Sequence, residues 1–319
     1  MTSPPVALKT VDLSKTFAAG RRLIGPPRAR VHALHPVSLE VRRGETLGVV
    51  GESGCGKSTL AKMLVGLLPP SGGHIEIEGR SVAGAGRADF ARLIQYVFQD
   101  PVSSLNPRKS VRRIMEAPLR RLHGLSGSEL SERILELFAA VGLRAEFLSR
   151  YPHEFSGGQA QRIGIARALA ADPRILVLDE PVSALDVSIQ AQVINLLGEL
   201  REDFGLTYFF ISHDLAVVEA VSDRVAVLYF GSLVELGLAR DIFSLPRHPY
   251  TRLLSESAPV VGRAIGGAVS GEIPDPLDPP AGCAFAGRCP RASEVCRGEV
   301  PRLRAVGDSF VACHHPLDP

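Results

Sequence analysis

The sequence lacks a long apolar run, a dominant sign of charge and the pattern of a secretory signal at its start. No segment reaches the roughly 18 consecutive apolar residues of a transmembrane helix, so we expect no membrane span. The formal net charge is only +2, which argues against a dedicated nucleic-acid-binding protein. The N-terminus has no charged start followed by an apolar core, so we expect no secretory signal and a cytosolic location.

An internal repeat at a fixed period is also absent, and so are long heptad runs. Apolar residues make up 45% of the 319 residues and charged residues 22%, which is ordinary for a globular protein. The chain is therefore long enough for one large domain or two ordinary ones.

Strand and helix patterns alternate along the middle of the chain. Short apolar runs predict buried strands, and apolar residues at helical spacing predict helices. The predicted strands are residues 6–13, 37–41, 46–50, 175–178, 207–212 and 225–229, and the predicted helices include a segment after residue 57, much of residues 110–150, and residues 187–201 and 215–221. This alternation predicts an α/β fold with a mainly parallel sheet.

The texture of the sequence changes twice. Residues 20–30 are rich in Arg, Gly and Pro, which predicts a loop, and from about residue 262 proline, glycine and cysteine rise while periodicity disappears. We therefore predict a domain of residues 1–250 and a small Cys- and Pro-rich extension of residues 251–319.

A glycine-rich segment follows the strand predicted at residues 46–50. Its sequence, GESGCGKS, fits the P-loop pattern G-x-x-x-x-G-K-[ST] in full and precedes a predicted helix. Such a loop directs backbone N–H groups toward an anion, and the helix N-terminus adds partial positive charge. The candidate nucleotide-binding residues here are Gly51, Ser53, Gly54, Cys55, Gly56, Lys57, Ser58 and Thr59. Lys57 is predicted to bind the β and γ phosphates, and Ser58 to bind Mg²⁺.

Two carboxylates follow the strand predicted at residues 175–178. Asp179 ends this apolar run and is suited to hold Mg²⁺ through water. Glu180 is next in sequence and is a candidate general base that polarises the attacking water.

Further motifs occur in a fixed order around these residues. The segment EFSGGQAQRIGIARAL contains Ser156, Gly157, Gly158 and Gln159; YVFQDP contains Gln99; SALD ends at Asp186; and ISHD contains His213. Together they resemble the signature motif, Q-loop, D-loop and switch histidine of ABC-type ATPase subunits. One departure is Phe155, where the family usually has leucine.

The resemblance implies a P-loop NTPase (RecA-like) core, an N-terminal antiparallel β part and a helical subdomain at about residues 100–165. It implies that Gln99 helps to hold Mg²⁺, that His213 assists Glu180, and that Ser156 and its glycines contact ATP held by a partner subunit. Phe17, in SKTF, is the candidate for stacking on adenine, with a core position as the alternative.

Longer strings resemble the ATPases of peptide importers. These strings are QDPVSSLNPRKSV, DEPVSALDVSIQAQ, RHPYTRLLSESAP and the Cys-rich C-terminus. The resemblance, closer to the second ATPase of a heterodimeric pair, implies a second ATPase, two permease subunits and an extracytoplasmic binding protein as partners, at the cytoplasmic face of the membrane. The alternatives are a soluble non-transport ABC ATPase, an importer of nickel or another non-peptide solute, and a redox regulator.

The stretch of residues 100–121 is the expected permease contact. Its basic residues also have a plainer interpretation as a solvated face near anionic lipid. They are Arg108, Lys109, Arg112, Arg113, Arg120 and Arg121.

Four of the five cysteines lie in the C-terminal extension. Cys283, Cys289, Cys296 and Cys313 are separated by five, six and sixteen residues. Disulfides are disfavoured in a reducing cytosol, so this group of cysteines indicates a bound metal. The metal is either zinc or the iron of a [4Fe–4S] cluster, and the third alternative is that no metal is bound. The peptide importers that the chain resembles carry a C-terminal iron–sulfur cluster, which favours the cluster. The fifth cysteine, Cys55, precedes a helix, and we expect a lowered thiol pKa there.

Overall fold

A computed structural model describes residues 4–19, 29–84, 86–257 and 272–318. The predicted loop of residues 20–30 lies almost wholly outside them. Residues 258–271, where the texture of the sequence changes, lie outside them as well. The boundary predicted between residues 250 and 251 stays a prediction.

Twelve strands form among the described residues. In chain order they are β1 (Val6–Ala19), β2 (Ala29–Arg42), β3 (Thr46–Val50), β4 (Gly72–Ile77), β5 (Arg80–Ser81), β6 (Ile94–Val97), β7 (Ile175–Asp179), β8 (Thr207–Ile211), β9 (Arg224–Tyr229), β10 (Ser232–Leu238), β11 (Arg304–Val306) and β12 (Ser309–Val311).

Ten α-helices occur in the same ranges. They are α1 (Lys57–Leu64), α2 (Arg87–Leu93), α3 (Val111–His123), α4 (Gly127–Ala140), α5 (Gly157–Leu169), α6 (Val187–Phe204), α7 (Leu215–Val221), α8 (Ala239–Ser244), α9 (Pro249–Glu256) and α10 (Glu294–Gly298). Two short 3-10 helices cover Ala145–Ser149 and Pro152–Glu154.

The chain forms two compact units. The first contains described residues of the ranges 1–8, 41–45 and 77–211, and the second those of the ranges 9–40, 46–76 and 212–319.

Three parallel strands organise the first unit. Strand β7 pairs with β6 on one side and with β8 on the other, and Asp179 is opposite Ile211 at the ends of β7 and β8. All residues of β7 and β8 are buried, as in parallel strands covered on both faces. Helices α3, α4 and α5 pack on one another, and α5 also packs on β6. This packing places the carboxyl end of β7 and the N-terminus of α5 within one unit.

The second unit combines parallel and antiparallel pairing. Strand β3 pairs in parallel with β9, and β9, β10, β12 and β11 continue the sheet in antiparallel order. Glu235 pairs with Val311, so the C-terminal region adds strands to the same sheet. Strand β1 lies between β2 and β4 in a separate sheet. Helix α7 packs on β3 and helix α8 on β10.

The predicted elements compare well with the observed ones. Strand β3 and helix α7 have the predicted bounds, and β7, β8, β9 and α6 differ from prediction by one to three residues. Strand β1 extends to Ala19, beyond its apolar alternation, and the helix predicted after residue 57 is α1, which ends at Leu64. Within the described ranges no helix is long and apolar enough to cross a membrane.

Candidate functional site

The predicted site residues fall into one group in each unit. The first unit holds Gln99, Ser156, Gly157, Gly158, Gln159, Asp179, Glu180 and Asp186. The second holds Phe17, Gly51, Ser53, Gly54, Cys55, Gly56, Lys57, Ser58, Thr59, His213 and the four C-terminal cysteines.

The glycine-rich loop of the second unit connects β3 to α1. Gly51 and Gly56 have φ values of 152° and 103°, a region that side chains rarely adopt. A Cβ on Gly51 would lie 2.1 Å from the carbonyl oxygen of Leu228, and one on Gly56 would lie 2.6 Å from that of Ala33. The loop therefore requires glycine at both positions, because neighbouring backbone leaves no room for a side chain.

The Lys57 side chain is buried against this loop. Its Nζ donates to the carbonyl oxygens of Gly51 at 2.6 Å and Glu52 at 3.0 Å, and it lies 3.7 Å from Cys55 Sγ. A fixed ammonium charge at a turn of this shape is suited to a phosphate group. Ser58, the next residue in α1, is exposed.

The pKa of the Cys55 thiol differs from the expectation. The thiol is buried, with 4% of the residue exposed. Burial, and to a lesser extent the Glu52 carboxylate, raise the pKa of Cys55, although Lys57 opposes the shift. The prediction of a lowered pKa is wrong because loss of hydration outweighs the nearby cation.

In the first unit, Asp179 ends β7 and is buried. It accepts a hydrogen bond from the hydroxyl of Tyr96 on β6. Burial and this carboxylate raise the pKa of Tyr96, so its hydroxyl keeps its proton and acts as a donor. Tyr96 thus orients the carboxylate that the sequence assigns to Mg²⁺.

Glu180 is brought together with Gln99. The Gln99 Nε2 donates to the Glu180 Oε2 at 2.8 Å. Glu180 has a φ of 50°, unusual for a residue with a side chain, and its N–H donates to the Ile211 carbonyl at 2.9 Å. Strained backbone of this kind concentrates at functional sites, where surrounding structure holds it.

The signature residues begin helix α5. Ser156 Oγ accepts from the Gln159 N–H at 3.4 Å, and Gln159 Oε1 accepts from the Ser156 N–H at 3.2 Å. This reciprocal capping box fixes the start of the helix. A Cβ on Gly158 would lie 2.5 Å from Ile189 Cγ2, so glycine allows α5 to approach α6 closely.

Asp186 and His213 are both exposed at the starts of helices. The carbonyl of Asp186 accepts the N–H of Gln190 at 2.8 Å, which begins α6. His213 precedes Asp214, whose side chain caps α7 by accepting the N–H of Ala216 at 3.0 Å. Both residues thus lie where hydrogen bonds begin a helix.

Phe17 is 40% exposed, which argues against the alternative of a core position. The ammonium of Lys15 lies 5.2 Å from the centre of its ring. The ring is therefore accessible for stacking, although its role stays a prediction.

The comparisons with known proteins extend these observations. Residues 34–183 match the ABC transporter family, and residues 234–296 match the family described as oligopeptide/dipeptide transporter, C-terminal region. The oligopeptide transport ATP-binding protein AppF of Bacillus subtilis is 47% identical over 319 residues, covering 96% of both chains. This chain belongs to the family of peptide-transporter ABC ATP-binding subunits.

A further relative and a solved structure are also similar to this chain. The di/tripeptide transport ATP-binding protein DppF of Pseudomonas aeruginosa is 48% identical, covering 95% of this chain and 96% of its own. A solved dimeric ATP-binding cassette, in a post-hydrolysis state with ADP and Pi, has a TM-score of 0.64 and 30% identity, covering 73% of this chain and 99% of that one. The predicted P-loop NTPase fold and ABC ATPase class are confirmed.

The four C-terminal cysteines are free and line one small cavity in the second unit. Burial raises the pKa of Cys313 to about 11, and the other three thiols add to this shift. In the described part of the chain, however, no group of three or more His, Cys, Asp or Glu residues could hold a metal ion. No metal site is thus seen in that part of the chain, and the iron–sulfur cluster stays a prediction.

Three polar side chains at these sites escaped the sequence analysis. Tyr96 contacts Asp179, whereas Tyr250 and Arg288 both bind Glu52 in the phosphate-binding loop. Tyr96 and Tyr250 lie within the strings YVFQDP and RHPYTRLLSESAP. No local pattern assigns any of the three its contact, because each is far in sequence from its partner.

We expect Cys55 to resist alkylation in the folded chain. Because burial raises its pKa and limits access, iodoacetamide should modify it at least about tenfold more slowly at neutral pH than in urea, and the rate should rise with pH. Peptide-resolved mass spectrometry over time measures both rates. Equal rates in the folded and unfolded chains would contradict the buried position.

Proposed function

We propose that this chain binds and hydrolyses ATP to power the import of peptides through a membrane permease. The hydrogen-bonded pair of Gln99 and Glu180, at the end of buried strand β7, carries the catalytic part of the proposal. Similarity along nearly the full chain to peptide transport ATP-binding proteins supports the cargo. Nickel or another solute is the alternative that the transport test distinguishes.

Each group has a definite role in this mechanism. The loop amides and Lys57 bind phosphate, and Phe17 stacks on adenine. Glu180 accepts a proton from the attacking water while Gln99 and His213 help to orient it. Asp179, Gln99 and Ser58 supply the carboxylate and neutral oxygen atoms that suit Mg²⁺. When bound, Mg²⁺ neutralises phosphate charge.

A second ATPase subunit is the proposed partner for the signature residues. Ser156 is exposed at the N-terminus of α5, a 13-residue helix with a fixed cap. A helix N-terminus attracts anions, so an exposed one can meet phosphate held by another subunit. Val187, beside Asp186, is 82% exposed, as expected for a side chain that a partner covers.

Two permease subunits, served by an extracytoplasmic binding protein, complete the proposed assembly. Their contact lies on residues 100–121, where Val102 is 40% exposed and Arg112 and Arg120 border Glu116 at 4.0 and 3.7 Å. The stretch therefore offers a permease both an exposed apolar side chain, Val102, and the basic side chains of Arg112 and Arg120. The chain would thus attach peripherally to the cytoplasmic face of the membrane.

Replacement Glu180→Gln should reduce ATP turnover by about 10²–10⁴-fold while leaving ATP affinity nearly unchanged. The amide keeps the shape of the side chain but cannot accept the proton. Phosphate release and equilibrium dialysis of ATP measure the two quantities. Loss of ATP binding in this variant would contradict the assigned role.

Gentle solubilisation of native membranes and affinity capture of this chain should recover two permeases, a second ATPase and a binding protein. Mass spectrometry identifies them, and peptide uptake by cells that lack this chain then tests the cargo. Recovery with ribosomes or DNA would contradict transport. Loss of nickel uptake with normal peptide uptake would contradict the peptide cargo.

We also propose a [4Fe–4S] cluster bound by Cys283, Cys289, Cys296 and Cys313. The support is that four free thiols line one cavity. Thiolates are the usual ligands of such clusters. Here the bound cluster would stabilise a region that has little hydrophobic core of its own.

Protein purified without oxygen should contain about four iron and four sulfide per chain under this assignment. Replacement Cys296→Ser should lower both contents, whereas Cys55→Ser should leave them unchanged. Zinc without sulfide, or neither metal, would contradict the cluster.

A further inference from the structure

The phosphate-binding loop carries an acidic residue of its own. Glu52 lies between Gly51 and Ser53, and its side chain is 25% exposed. A carboxylate in a loop that binds a polyanion opposes binding by like-charge repulsion. A positive group beside the Glu52 carboxylate would offset this charge and raise the affinity of the loop for ATP.

Arg288, from the C-terminal region, binds that carboxylate in a bidentate manner. Its Nη1 and Nη2 donate to the two Glu52 oxygens at 2.8 and 2.9 Å. The guanidinium also donates to the hydroxyl of Tyr229 at 3.2 Å. Paired, parallel hydrogen bonds of this kind give both strength and a fixed orientation.

The pair is well shielded from solvent. The Arg288 side chain is only 7% exposed, and its guanidinium lies 5.7 Å from the Tyr229 ring centre and 6.0 Å from that of Phe285. The hydrogen bond to Glu52 raises the pKa of the guanidinium, so it stays charged. Shielding makes the interaction stronger than that of a surface ion pair.

The backbone of Glu52 is held by the same part of the unit. Its N–H donates to the Tyr250 hydroxyl at 2.9 Å. Phe285 is buried against Tyr229 and Tyr250, with ring centres 5.2 and 5.5 Å apart. The C-terminal segment thus contacts the loop through a charge and through packed aromatic rings.

We propose that Arg288 is a positioning residue that sets the ATP affinity of the phosphate-binding loop by neutralising and orienting Glu52. The inference rests on the proposed binding of ATP to this loop and extends it to the C-terminal region. Arg288 adjoins Cys289, so the same contact connects the cysteine-lined cavity to the nucleotide site.

Replacement Arg288→Met should raise the Kd for ATP by about 2- to 30-fold, because the uncompensated carboxylate then repels phosphate. Arg288→Lys, which keeps the charge but not the paired geometry, should have a smaller effect. Arg297→Met, an exposed position in α10, is the matched control and should leave the Kd unchanged. Equilibrium dialysis of ATP with the purified full chain, below the lowest Tm of the set, measures each value.

The decisive variant removes the negative charge. Glu52→Gln alone should bind ATP as tightly as the natural chain or more tightly, and Arg288→Met with Glu52→Gln should recover most of the lost affinity. A purely structural contact predicts the opposite, because each replacement would then weaken the loop and the double replacement would not repair it.

Two results would overturn the inference. One is an unchanged Kd in a folded Arg288→Met chain, and the other is a Glu52→Gln chain that binds ATP more weakly than the natural one. The second result remains measurable if Arg288→Met does not fold. Failure of the natural chain and of Arg297→Met to bind ATP would instead overturn the proposed function, and the inference with it.

Discussion

The sharp turn between β3 and α1 is the constraint on which the nucleotide chemistry depends. Gly51 and Gly56 hold backbone conformations that other residues rarely adopt, and neighbouring carbonyl oxygens fill the space where a side chain would be. Lys57 is folded back onto the same loop. The buried strand β3 before the loop and helix α1 after it keep this geometry in place. The anion site therefore depends on the sheet as well as on the loop sequence.

The carboxylates of the first unit are positioned by a buried strand and by two hydrogen bonds. Strand β7 is fully buried, so its end cannot move without disturbing the core, and Tyr96 and Gln99 then orient Asp179 and Glu180 by one hydrogen bond each. The unusual backbone at Glu180 is tolerated because its N–H is bonded to the neighbouring strand. The positions of both carboxylates thus depend on the buried core of the unit.

The C-terminal region is part of the second unit and not a loose addition to it. Strand β12 pairs with β10, and Arg288 contacts the phosphate-binding loop. This segment gains order by joining an existing sheet and by pairing a buried charge. The cysteine-rich tail is thereby held against the loop that the sequence assigns to phosphate binding.

The sequence by itself determined the short-range features: the glycine loop, the buried strands β3 and β7, and the residues that chemistry requires at their ends. These follow from local periodicity and from motifs within a few residues. Only the tertiary structure decided which groups surround them, because Arg288 is 236 residues from Glu52 and Tyr96 is 83 from Asp179. It also reversed the expected pKa shift at Cys55, since burial depends on packing that no local pattern records.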